Sequence, residues 1–111
     1  MFGGTGEEQR DWLHVADAAR LLMLAGRHAS AECQVVNCGS GTIASTREVL
    51  EVLATGLASP LRPRFDGLGR AGDPQRYWAD VRRAGEWRWR PTTDWRTGVM
   101  RYAHWYLREG A

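Results

Sequence analysis

Arg10, Arg70 and Asp73 have the chemistry to hold an anionic ligand that also carries hydroxyl groups. A guanidinium presents its N–H donors in a rigid fork that matches two phosphate oxygens at once, each charged hydrogen bond contributing about 1.5–3 kcal/mol. An aspartate accepts hydrogen bonds from ribose hydroxyls. Arg10 sits among polar residues where a strand-like stretch begins, and Arg70 and Asp73 belong to the run Gly69-Arg70-Ala71-Gly72-Asp73, whose glycines let a backbone approach a ligand closely. A solvated loop charge is the other role open to each of them.

Three further groupings point to chemistry less well. Gly39-Ser40-Gly41 follows a β-rich run as a dinucleotide-binding turn would, but Thr42, Ile43 and Ala44 stand where the third glycine belongs, so a tight turn between strand and helix accounts for it. Cys33 and Cys38, taken with His14 or His28, fit no common zinc spacing and read as ordinary thiols. His14 and Asp17 could form an acid/base pair, yet a packed ring and a helix cap explain them equally well, and the structural reading is favoured.

Composition narrows the chemistry. All fifteen basic residues are arginine, which excludes a phosphate-loop lysine, a Schiff-base lysine and a Tyr-x-x-x-Lys dyad on this chain. Four arginines face seven acids up to Leu61, and eleven face six beyond it, so the second half is the better side for an anionic partner. Two cysteines cannot build a disulfide framework, and neither a signal peptide nor a membrane-spanning apolar run is present; a cytoplasmic protein with reduced thiols is expected, with no membrane partner. At 111 residues, 43% of them hydrophobic, the chain has one modest core, burying roughly 65% of its unfolded surface. Trp78, Trp87, Trp89, Trp95 and Trp105 crowd its last third, which must supply core or contact surface.

The elements that position these residues follow from periodicity and caps. Met1 to Glu8 reads as a loop and Gln9 to Val15 as a short strand, Trp12 and His14 on one face, Leu13 and Val15 on the other. Ala16 to Arg27 is a helix apolar almost all round, which needs cover on more than one side. Val35 to Cys38 is a second β-rich run. Ser45 and Glu48 form a capping box ahead of an amphipathic helix carrying Val49, Leu50, Leu53 and Leu57 and ending near Gly56. Leu61 to Phe65 is an edge strand broken by Pro63, and Gln75 to Ala79 another strand. Asp80 caps a short helix to Glu86, and Thr93 caps a last one along which Trp95, Val99, Tyr102 and Tyr106 recur. The result is an α/β (mixed α+β) lobe of about four helices and several short strands, residues 1–111 forming a single unit.

The order of these pieces resembles the C-terminal part of the extended short-chain dehydrogenase/reductases, the NAD-dependent epimerases and dehydratases of nucleotide sugars. The likeness runs through nearly the whole chain. It rests on R-D-W-x-x-V-x-D from Arg10, N-x-G-S-G from Asn37, R-x-G-D from Arg70, Y-x-A-D from Tyr77 and W-x-P-T-T from Trp89. By this resemblance Arg10 contacts the nucleotide diphosphate, Arg70 is a second phosphate ligand and Asp73 binds the nucleotide ribose. Asn37 and Asp17 are structural, and Trp87 and Trp89 are core. A departure lies at Gly85-Glu86-Trp87, where the family has a leucine and a glycine before its tryptophan; only the helix end should feel it.

The resemblance also implies an absence. The family's Rossmann domain, its glycine-rich NAD loop, its catalytic Ser or Thr and its Tyr-x-x-x-Lys dyad have no counterpart here, so the expectation is an excised or separately encoded substrate lobe, truncated or stand-alone, without its own cofactor, NAD belonging to the complete family enzyme. Catalysis by this chain alone is not expected. The faces that would meet the Rossmann domain, the Ala16 helix among them, should then promote a homo-oligomer or receive a separate Rossmann-domain protein. Two other readings stand beside this one: a protein-interaction module that has lost its ligand, and nucleic-acid binding through the arginine-rich end, which a net charge of +2 disfavours.

Overall fold

The computed structural model describes residues 1–69 and 71–110. In chain order the elements are β1 (Gln9–Arg10), α1 (Val15–Arg27), β2 (Ala44–Ser45), α2 (Thr46–Gly56), β3 (Arg76–Tyr77), α3 (Arg82–Glu86) and α4 (Trp95–Glu109). Over the described residues the fold is mixed α/β, four helices with a small three-stranded sheet. β1 is the central strand, antiparallel to β2 with Arg10 opposite Ala44, and parallel to β3 with Arg10 opposite Tyr77.

The strands are shorter than their sequence runs, because a ladder needs a neighbour along its whole length. β1 stops at Arg10, not Val15, once the chain turns into α1. Of Gln75–Ala79 only Arg76 and Tyr77 pair, and of Leu61–Phe65 only Phe65 does, in a bridge to Phe2. Val35–Cys38 forms no strand: no backbone ladder pairs with it among the described residues, its contacts being side-chain bonds from Asn37 to the Asp80 carbonyl and from Arg83 to the Val35 carbonyl, and Val35 is exposed.

The helix caps follow the logic of orphan amides, with some exchanged roles. Ser45 and Glu48 form the expected capping box of α2. His14 caps α1, its Nδ1 accepting from Ala16 N–H, which frees Asp17 for another task. Asp94, not Thr93, caps α4 by accepting from Thr97, and the Thr93 N–H turns to Asp17 instead. Val81 occupies the N-cap of α3 without a side-chain bond, while Asp80 accepts from the Arg82 N–H. Gly56 lets α2 and α4 approach, since a Cβ there would collide with Ala103 and Met100.

The core gathers Leu21, Ala84 and Trp89, with Leu13, Leu24, Val36 and Trp87 packed against it. Trp89 is buried as expected; Trp87 is half-buried and stacks on His28 with ring centroids 4.5 Å apart. Trp89 owes its position to the end of α3: its N–H returns to Ala84 O at 3.1 Å and that of Arg88 to Gly85 O at 2.9 Å, a Schellman closure. Arg88 holds the left-handed position at φ 58°, where glycine is the unstrained residue.

Asp17 joins the first part of the chain to the last. It is fully buried, yet its carboxylate accepts from Arg20 at 2.6 Å, Thr92 Oγ1 at 2.8 Å, Thr93 N–H at 3.0 Å and Thr92 N–H at 3.1 Å. Its carbonyl also accepts from the Trp89 indole at 3.2 Å. Burial pushes the carboxyl pKa up, but hydrogen bonds from Arg20, Thr92 and Thr93 outweigh burial and hold it at about 2.

Two outcomes follow for stability. Asp17→Ala strands several donors and should cost about 3 kcal/mol or more in urea denaturation. Because the native pKa lies below the unfolded one, the stabilisation is complete above about pH 4 and fades as pH falls toward about 2, a slope that Asp17→Asn should flatten. Arg88→Gly should instead raise stability by about 0.5–1 kcal/mol, read as a higher denaturation midpoint with an unchanged slope.

Candidate functional site

Arg10 stands on the central strand and lines a pocket of about 270 Å³ in which Asp11, Asn37 and Asp80 are interleaved with Leu13, Trp78 and Ala79. Its Nη1 donates to the Gln9 carbonyl at 2.9 Å, and no carboxylate lies within ion-pair distance among the described residues. The pocket's acids are already engaged. Asp80 is paired with Arg82 at 2.6 Å and held at about 2 by the hydrogen bonds from Arg82, while Asp11 is buttoned into the neighbouring loop. The guanidinium therefore stays available to an anion from outside.

Asp11 is the residue that sequence reasoning passed over. Its carboxylate accepts from Ser40 N–H at 2.6 Å, Ser40 Oγ at 2.7 Å, Gly41 N–H at 3.0 Å and Ala79 N–H at 3.2 Å. One side chain thus fixes the Gly39–Gly41 turn against the end of β3. Gly39 is required for the approach, since a Cβ there would strike Ala79 and Asp11. These amides are the ones a dinucleotide phosphate would need, so the turn is structural, as the missing third glycine implied. Asn37 supports the same wall by donating from Nδ2 to the Asp80 carbonyl at 3.2 Å. The available signal was the acid immediately after Arg10 with a Gly-Ser-Gly turn later in the chain, but nothing in the sequence joins the two.

Of the other two expected ligand residues, only Asp73 is among the described residues. Asp73 is exposed in the turn after Gly72 and is not among the residues lining the Arg10 pocket. Arg70 lies outside the described residues. Both cysteines are free and exposed, and partial burial together with Asp11 and Asp17 pushes the Cys38 thiol up, away from the reactive thiolate.

Residues 1–39 match the family model described as the NAD dependent epimerase/dehydratase family. The similarity extends through the rest of the chain, which is 35% identical over 104 residues to a dTDP-glucose 4,6-dehydratase of Actinoplanes, covering 93% of this chain and 32% of that protein. The chain belongs to the NAD-dependent epimerase/dehydratase family. Within the family the match is to the C-terminal lobe, and the chain spans about a third of the length of the curated relatives it matches. An epimerase from Methanothermobacter thermautotrophicus superposes with a TM-score of 0.85 at 24% identity, over 98% of this chain and 33% of that one. MoeE5, solved with UDP-glucuronic acid and NAD, superposes with a TM-score of 0.81 at 33% identity, over 96% of this chain and 36% of that one.

If Asp11 is the clasp of the pocket wall, Asp11→Ala should speed amide hydrogen exchange at Ser40, Gly41 and Ala79 by about tenfold or more. Exchange in the middle of α4, which makes no bond to Asp11, should not change.

Proposed function

We propose that this chain is a nucleotide-sugar-binding lobe of an NAD-dependent sugar epimerase or dehydratase, gripping the ligand's diphosphate through Arg10. The observation that carries this reading is an arginine on the central strand, lining a pocket, without a carboxylate partner among the described residues. Arg70 serves as a second phosphate ligand and Asp73 as the acceptor for the nucleotide ribose. MoeE5 with its bound UDP-glucuronic acid supports this assignment of ligand class.

In this reading residues 1–111 act as one lobe that is not catalytic by itself. NAD supplies the hydride chemistry of the complete enzyme, and this lobe offers no cradle for it: the amides of the Gly39–Gly41 turn are taken by Asp11, and the chain has no lysine for a Tyr-Lys dyad. The chemistry belongs to a Rossmann half of the kind the family implies, on which this lobe docks. The unpaired Val35–Cys38 run, together with Val15, Leu22 and Met23 exposed on α1, supplies surface for it. A cytoplasmic location goes with this role; no described helix is long and apolar enough to cross a membrane.

Calorimetric titration with UDP, dTDP, UDP-glucose and dTDP-glucose tests the proposal. Arg10→Ala should weaken binding by about ten- to a hundredfold, and Asp73→Ala should weaken it selectively for ligands with an intact ribose, both variants keeping the wild-type melting temperature. No heat from any of the four ligands would leave the protein-interaction reading in place.

A further inference from the structure

Besides the Arg10 pocket, the described residues form an apolar groove of about 670 Å³ between α2 and α4 and a cationic pocket of about 500 Å³ between α1 and the turn that ends α3. The cationic pocket shares no lining residue with either of the others. Three guanidiniums, those of Arg20, Arg27 and Arg88, line it, and no carboxylate does. Leu24, Trp87 and Trp89 give it an apolar floor.

The like charges gathered there are largely unanswered from within the chain. Arg20 bonds through Nη2 to Asp17, the Arg90 carbonyl and Thr92, which leaves Nε and Nη1 as spare donors. Arg27 and Arg88 are exposed and enter no ion pair among the described residues. The carbonyl end of α1 favours a cation at Arg27. Arg88 has no such reason: at φ 58° its backbone sits where glycine would be unstrained, so the turn itself does not account for an arginine.

Arg20, Leu24 and Arg27 form one stripe along α1, about 10 Å long. Arg20 is two positions from Leu22, about 200° around the helix, so the stripe lies on the far side of α1 from the Val15 and Leu22 surface assigned above to the Rossmann half. Trp87 and Arg88 line the other side of the opening. His28 stacks on Trp87 with the ring planes 4° apart, which holds the indole in place.

We propose that this pocket binds a phosphate monoester with a flat apolar body, the phosphate gripped by Arg27 and Arg88 and the body resting against Leu24 and Trp87. The guanidinium fork matches phosphate oxygens in pairs, and an indole gives a planar group a surface to pack on. Arg20, pinned by its bond to Asp17, adds a third, fixed donor. The site does not depend on the nucleotide assignment, because it uses none of Arg10, Arg70 or Asp73.

Calorimetric titration of the full chain carrying Arg10→Ala, which removes the other candidate anion grip, tests it with phenyl phosphate and inorganic phosphate as probes. Phenyl phosphate should bind saturably below about 1 mM, and about tenfold tighter than inorganic phosphate. Arg27→Ala and Arg88→Gly should each weaken it by about tenfold. Arg88→Gly should melt no lower than its parent, so that its lost binding is not lost fold. Phenyl phosphate that gives no saturable heat, binds no tighter than inorganic phosphate or is indifferent to Arg88→Gly would overturn the proposal.

Discussion

The carboxylate of Asp17, once removed from water, has to find donors, and it finds most of them 75 residues further along the chain at Thr92 and Thr93. This constraint does more than any single apolar contact in a core this small, because it fixes where the last helix begins. The Thr93 N–H is drawn to Asp17, so Asp94 takes over as the cap of α4. The Trp89 indole, bonded to the Asp17 carbonyl, is held over Leu21 and Ala84 by the same link. Remove the carboxylate and the cap, the buried tryptophan and the docking of α1 lose a common support.

Asp11 has the same relation to the candidate site. Two acids six positions apart in one segment each reach across the chain, Asp17 to the entry of α4 and Asp11 to the Gly39–Gly41 turn and the end of β3. Between them they turn short strands and loops into a wall rigid enough to present Arg10. Preorganisation of this kind is what lets a single guanidinium contribute to binding, since a loosely held arginine gives back much of its hydrogen-bond energy as ordering entropy. The strands themselves are too short to supply that rigidity.

The same small core leaves the rest of the molecule open. Much of the apolar content lies on surfaces, in the α2–α4 groove and on the outer face of α1, and a family lobe with such surfaces is built to be covered. The α2–α4 groove and the Arg10 pocket open on different parts of the fold, with Leu13 lining both.

By itself the sequence determined what depends on neighbours along the chain. The helices of α1, α2 and α4 were legible from apolar periodicity, and the Ser45–Glu48 capping box from a spacing that is local by nature. The ordered motifs carried the family, and the same family pattern marked Arg10 and Asp17 as positions of consequence. What the tertiary structure decided depends on meetings between distant segments. Val35–Cys38 has the composition of a strand and no ladder partner among the described residues, Thr93 has the chemistry of a cap but a stronger claim from Asp17, and nothing local to Asp11 marks it as the acceptor for the Gly-Ser-Gly turn. Hydrogen bonding is satisfied across space, so the residue that wins a donor is settled only when the chain has closed on itself.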